Sequence, residues 1–97
     1  MLKKRRFKKE NVVKVTFVLP SEVEAGAVAL AGDFTDWVPA QPLRRQKDGS
    51  WRTTLDLEPG REYQFRYVVD GQRWINDPAA DKYVPNPHGD QNSVVVT

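Results

Sequence analysis

Large apolar residues at every second position set the fold class. Val13, Val15, Phe17 and Leu19 alternate with Lys14 and Thr16 before Pro20-Ser21 ends the run. A period of two puts one set of side chains on one face of a strand and the other set on the opposite face. The pattern recurs downstream. Val28, Leu30 and Phe34 share a phase, with small Ala27, Ala29 and Ala31 opposite. Trp51, Thr53, Leu55 and Leu57 share another, and Tyr63, Phe65, Tyr67 and Val69 alternate with Gln64, Arg66 and Val68. Shorter strands fit Leu43–Gln46, Arg73–Ile75 and Ser93–Val96. Asp48-Gly49, Pro59-Gly60 and Asp70-Gly71 supply tight turns. Pro78, Pro85 and Pro87 mark 76–91 as a long loop. No segment sustains a helical period, so no helix longer than one turn is expected. Short strands spaced by turns predict an all-β, antiparallel β-sandwich of about seven strands.

Length and composition narrow the chemistry. A chain of 97 residues is too short for a catalytic barrel or a two-domain cleft. With no cysteine there is no disulfide staple and no thiolate catalysis, so aromatic packing must hold the sheets together. One histidine argues against a His-rich metal site, and no phosphate-binding loop or other cofactor motif is visible; neither a metal nor a cofactor is expected. No apolar run reaches the length of a membrane span, and no apolar stretch follows the N-terminal charges. A cytoplasmic protein without membrane contact is expected.

Charge is unevenly placed. Lys3, Lys4, Arg5, Arg6, Lys8 and Lys9 put six positive charges in the first nine residues, which leaves nine basic against thirteen acidic residues in the remainder. The net charge of +2 therefore belongs to the N-terminal segment. We read residues 1–11 as a basic extension and 12–97 as a single domain. The extension suits an acidic surface or nucleic acid. A solvated end, or a leading edge strand protected by lysines, is the preferred reading. No basic residues interleave with aromatics elsewhere, which speaks against nucleic acid as the main partner.

Two tryptophans stand outside the core pattern. Trp37 lies in a loop segment, Gly32 to Trp37, and alternation does not fix it. Trp74 depends on hairpin register. A two-residue Asp70-Gly71 loop pairs Tyr67 with Trp74 and turns the indole inward. A three-residue loop pairs Val68 with Trp74, placing the indole beside Arg66 on the outer face and Ile75 inward. The second register is preferred, because burying Ile75 leaves no indole N–H seeking a partner in the core. Exposed tryptophans on one side of a small sandwich suit sugars: indole covers the C–H face of a pyranose, and Arg, Asn or Asp meets its hydroxyl rim.

Gly32-Asp33-Phe34-Thr35-Asp36-Trp37, Trp51 to Leu57, Tyr63 to Gly71 and Asn76-Asp77-Pro78 occur in the order seen in family 48 carbohydrate-binding modules. The sequence resembles these early-set, immunoglobulin-like domains, found before isoamylase and branching-enzyme barrels, and is similar to the glycogen-binding domain of the AMP-activated kinase β subunit. The resemblance spans about residues 12–97. It implies binding of α-1,4-glucans such as glycogen and starch. In the kinase-type domain two tryptophans, a strand lysine and loop residues form the site. Trp37 matches the first tryptophan, and Trp74 the second, displaced by an inserted residue assigned to Arg73. Arg66 falls at the lysine position and Asn92 at the loop asparagine. His88 and Asp90 stand where a leucine and a threonine are usual, which puts affinity and ligand choice in question.

Each of these residues also has a purely structural reading. Trp37 can lid the sandwich edge, Arg66 can pair with an acid, Asn92 can cap its loop, and His88 can be a solvated loop residue. Trp51 fits the inward phase and reads as core. Asp33 and Asp36 are a carboxylate pair, but a turn with no deep cleft favours turn hydrogen bonding over glycosidase chemistry. Asp77 before Pro78 reads as a turn starter. The expectation is a non-catalytic glucan-binding module. The alternative is a protein-interaction or regulatory module of the same fold with weakened glucan binding, whose partner is a glycogen-metabolising enzyme or another protein. No nucleophile–base pair supports an enzyme.

Overall fold

The computed structural model describes residues 1–97 as two packed antiparallel sheets. The first contains β1 (Leu2–Phe7), β2 (Val12–Leu19), β5 (Arg44–Arg45) and β6 (Trp51–Leu57), in the order β1-β2-β6-β5. The second contains β3 (Val28–Gly32), β4 (Gln41–Pro42), β7 (Glu62–Val69), β8 (Arg73–Ile75), β9 (Lys82–Pro85) and β10 (Gln91–Val96), in the order β4-β3-β7-β10-β9. β3 pairs along one side of β7; β10 and β8 share its other side, one after the other. The only helical piece is a 3-10 turn at Asp33–Thr35. The fold is the expected all-β, immunoglobulin-like early-set sandwich.

Alternation places the core as expected. Val13, Val15, Phe17 and Leu19 of β2, Val28 and Leu30 of β3, and Phe65, Tyr67 and Val69 of β7 are all buried. Trp51 is buried as well. Aromatic rings join the sheets. Phe17 meets Phe65 edge-on with centroids 5.0 Å apart, Phe65 meets Tyr67 at 5.7 Å, and Phe34 sits 5.7 Å from Phe17. Such offset and edge-to-face contacts suit the ring quadrupole.

The strand count differs from the expected seven: there are ten, several of them short. Three segments account for the difference. The basic residues Leu2–Phe7 form β1, an edge strand in register with β2 from Leu2↔Phe17 to Phe7↔Val12. Lys4 and Arg6 share the inward phase, yet their heads escape across the sandwich edge. Lys4 pairs with Asp81 at 2.6 Å, and Arg6 donates to the Thr97 carbonyl at 2.7 Å. The single strand expected over Leu43–Gln46 is instead a crossover between sheets. Pro42 pairs with Ala29 in one sheet, Arg44 pairs with Arg52 in the other, and Leu43 between them is buried. Lys82–Pro85 is β9 inside the segment expected to be loop; a run this short between prolines shows no period.

Asp77 is fully buried. A buried carboxylate needs partners. Its Oδ2 accepts the Tyr67 hydroxyl at 2.7 Å, its Oδ1 accepts the Ala79 N–H at 2.8 Å, and the Met1 α-ammonium lies against Oδ1. Its own N–H donates to Ser93 Oγ at 2.8 Å. The Ala79 bond is the expected turn; the rest anchors the turn inside the sandwich. Burial, with the adjacent Asp77 charge, pushes the Tyr67 phenol far above its ordinary range, so it stays a donor. Tyr67→Phe keeps the ring and removes that donor. Urea denaturation should show a loss of about 1–3 kcal/mol, and an unchanged midpoint would mean that the bond contributes nothing.

Candidate functional site

The outer face of the second sheet carries the site. Residues of β7 that do not face the core, Gln64, Arg66 and Val68, point there. The register Val68↔Trp74 and Tyr67↔Ile75 places the Trp74 indole on the same side. This is the three-residue-loop register, and Trp74 is 39% exposed. Small Ala29 and Ala31 lie opposite Val68 and Arg66, leaving the neighbouring side chains room above the sheet.

Trp37 arrives from the turn after β3. Gly32 lies so close to β7 that a Cβ there would sit 2.5 Å from the Gln64 carbonyl oxygen. The chain then turns sharply. Thr35 Oγ1 accepts the Gly32 N–H at 3.0 Å, and Asp36 and Trp37 adopt left-handed backbone, with φ of 52° and 61°. For residues with a Cβ this costs roughly 1–2 kcal/mol each. The Trp37 N–H closes the turn on the Gly32 carbonyl at 2.9 Å. Asp33 fixes the indole: its Oδ1 accepts Trp37 Nε1–H at 3.1 Å, and its Oδ2 accepts the Gln64 N–H at 2.7 Å. Asp33 is thus a turn residue that also positions a tryptophan.

The loop from β9 to β10 closes the other side. Asn86 is its hub. Its Oδ1 accepts the N–H groups of His88 and Asp90 at 2.9 and 3.1 Å, and its N–H donates to the Asp90 carbonyl at 2.8 Å. Its Nδ2 donates to Asn92 Oδ1 at 3.2 Å, and Asn92 Nδ2 donates to Gln64 Oε1 at 3.0 Å. Arg66 Nη2 donates to the Trp74 carbonyl at 3.0 Å and to Asp90 Oδ2 at 3.1 Å.

Together these elements enclose an open cleft of about 520 Å³. Trp37, Arg66, Trp74, His88 and Asn92 all line it, so five of the six residues singled out in the sequence converge. Asp90 does not line it and acts on it through Arg66. Gln64, Asn86 and Pro87 complete the lining and were not among the expected residues. Gln64 shares the outer phase with Arg66, which is a signal in the sequence. Pro85-Asn86-Pro87 is turn chemistry, but only the folded loop reveals Asn86 as a hub.

The family comparison decides between an isolated resemblance and membership. A model described as the glycogen recognition site of AMP-activated protein kinase matches residues 13–97. The chain belongs to that family of carbohydrate-binding modules. Among curated proteins, it is 36% identical over 73 residues to Protein FLOURY ENDOSPERM 6, chloroplastic, of Oryza sativa subsp. japonica, a match covering 75% of this chain and 13% of the rice protein. It is 35% identical over 54 residues to Protein PTST homolog 2, chloroplastic, of Arabidopsis thaliana, covering 56% of this chain and 10% of that protein. The matched segment is thus a small part of each relative.

Two outcomes follow from the geometry. Asp33→Ala should release the Trp37 indole; its N–H signal should shift and exchange faster with solvent, while that of buried Trp51 stays put. An unmoved Trp37 signal would remove Asp33 as a positioning residue. The Gln91 N–H, and next Arg66, hold the Asp90 carboxyl below its ordinary 3.8. A depressed carboxyl contributes fully at neutral pH, and its contribution is lost as pH falls through the lowered value. A carbon NMR titration should place the Asp90 midpoint below 3.8. Arg66→Ala should return it only part of the way, because the backbone bond remains.

Proposed function

We propose that this domain is a non-catalytic module that binds α-1,4-glucan such as glycogen, stacking glucose units on Trp37 and Trp74. The observation that carries this reading is the convergence of two half-open indoles, from separate elements, on one cleft with Arg66, Gln64 and Asn92. Apolar faces and a few fixed polar groups are what a pyranose requires. Arg66 contributes a planar donor fork where a lysine would give a point charge. Each stacking contact contributes on the order of 1 kcal/mol beyond burial, so single-site binding is weak, about micromolar to millimolar. Repeated glucose units strengthen it by avidity. His88 offers less apolar surface than a leucine would, which lowers affinity or shifts ligand choice.

A second reading has its own observation. Asp90 occupies Arg66, and a tryptophan–arginine surface of this kind also suits a protein hot spot. A glycogen-metabolising enzyme or another protein would then dock on the same aromatic face.

Native gel mobility with and without glycogen separates the two. Wild type should be retarded by glycogen. Trp37→Ala and Trp74→Ala should each weaken retardation by roughly tenfold in glycogen concentration, with thermal melts close to wild type because neither side chain belongs to the core. A wild type that runs freely would overturn glucan binding and direct attention to a protein partner.

A further inference from the structure

Sheet edges present unpaired main-chain groups, and folds usually shorten or interrupt them. Here β4 and β5 have two residues each, and β9 has four and ends in Pro85. β1 is longer than any of these, with six residues, no proline and nearly continuous exposure. Its hydrogen-bond phase follows from Met1, which donates to the Val18 carbonyl and accepts the Val18 N–H, both at 2.8 Å. Counting in twos along an antiparallel pair, Lys3, Arg5 and Phe7 also bond toward β2. The N–H and C=O groups of Leu2, Lys4 and Arg6 therefore face away from the sheet.

The side chains add a charge signal. Lys3, Arg5 and Phe7 stand on the outer face with Thr16, Lys14 and Val12. No carboxylate pairs with Lys3, Arg5, Lys8 or Lys9; the acidic partners are used by Lys4, Lys14, Arg61, Arg66, Lys82 and the Met1 ammonium. Phe7 is half-buried, with the Arg5 guanidinium 5.3 Å and the Lys14 ammonium 5.7 Å from its ring centre. Beside it a small cleft of about 210 Å³ is lined by Arg6, Phe7, Lys8 and Pro59, among others.

We propose that β1 takes up an extended acidic polypeptide segment as an additional antiparallel strand. The free main-chain groups of Leu2, Lys4 and Arg6 supply the ladder, and the unpaired cations supply selectivity. Residues directly opposite one another share a face. The partner strand thus carries acids opposite Lys3 and Arg5 and an apolar residue opposite Phe7. Read from its N-terminus, it is apolar, any, acidic, any, acidic. The small cleft seats its apolar end.

Other occupants fit less well. A second copy of β1 would set lysine and arginine against themselves, which is destabilising. Single-stranded nucleic acid seeks exposed aromatics for stacking. The exposed large aromatics are Trp74 and Tyr83, and both belong to the other sheet. A nucleic acid or an anionic lipid surface would also leave the main-chain ladder unused. This edge belongs to the sheet opposite the glucan cleft, so the inference stands independently of the glucan reading.

The test is fluorescence anisotropy with the whole chain and a fluorescein-labelled peptide, Thr-Val-Thr-Glu-Thr-Glu-Thr-Gly. A second peptide is N-methylated at the threonine between the glutamates, the residue opposite Lys4, so that it keeps its charge but loses the central ladder bond. The expected result is saturable binding of the first peptide and not of the second. Lys3→Ala with Arg5→Ala should weaken it about tenfold. Lys4→Ala, which keeps its N–H, should bind; Lys4→Pro, which lacks it, should not. Edge strands tolerate proline where the N–H faces solvent, and a thermal melt checks this. The N-methylated peptide gives the same information on the wild-type chain. Equal binding of both peptides would reduce the edge to simple charge attraction and overturn strand addition. So would tighter binding of oligouridylate or phosphatidylserine vesicles than of the first peptide, or no peptide binding at all.

Discussion

Strand β7 serves two faces at once, and the rest of the molecule is arranged around that division. Phe65, Tyr67 and Val69 are buried against the other sheet, while Gln64 and Arg66, in the opposite phase, line the cleft. Because the side-chain period is two, a slip of one residue would send the rings outward and the polar groups into the core. The energy of burying two aromatic rings and a valine therefore fixes the register that aims Arg66. The same register decides where β8 pairs, and hence that Trp74 rather than Ile75 looks outward. Site geometry is in this sense a consequence of core packing. A substitution that loosens Phe65 or Tyr67 would disturb the cleft-lining groups of the opposite face.

The segment from β8 to β10 contains only the short β9, but it is tied down from beneath and from within. Asp77 reaches into the sandwich to Tyr67, and its N–H meets Ser93 on β10. Ser93 Oγ in turn donates to Asn76 Oδ1 at 2.9 Å, while Asn76 Nδ2 holds the Gln91 carbonyl at 2.9 Å. The loop thus leaves β8 and enters β10 at one pinned corner. Further on, Asn86 gathers the His88–Asp90 turn and passes its order through Asn92 to Gln64. A cleft wall already held by such bonds has little conformational entropy left to lose when a ligand arrives. That matters for a surface whose individual contacts are weak.

How far the sequence reveals this fold depends on the length of each element. β2, β6 and β7 have seven or eight residues each, enough for a period of two to stand out. β4 and β5 have two each, too few to show any period, and only Leu43 buried between them explains their separation. β1 is legible only as one alternative, an edge strand protected by lysines, and for another reason. Its inward positions are Leu2, Lys4 and Arg6, and the two basic residues break the expected alternation of apolar and polar residues. They are tolerated because a long basic side chain at a sandwich edge can run past the core and place its charge outside. In the site, Trp37, Trp74 and Arg66 stand out because an aromatic or basic residue lies where the core pattern does not need one. Asn86 and the linkage of Asp90 to Arg66 do not. Their roles depend on hydrogen bonds within a folded loop, and neighbouring letters do not encode those directly.

The distribution of charge now has a physical rationale. Glucose is neutral, so under the proposed function the cleft would gain little from a net field and much from matched donors and apolar faces. The cleft accordingly neutralises its strand cation with Asp90 and presents amides and indoles. The unpaired cations of the N-terminal segment lie on the other sheet, where they contribute nothing to a sugar contact. Their cost is mutual repulsion along one short strand and the turn that follows it, with Lys3, Arg5, Lys8 and Lys9 all lacking acidic partners. A strand that merely guarded its edge against aggregation would need one or two lysines, as Lys82 beside Glu62 illustrates on β9. The excess is better matched to an anionic strand that would relieve the repulsion on arrival. On that view the sandwich separates two kinds of recognition: shape and stacking on one sheet, charge and backbone on the other.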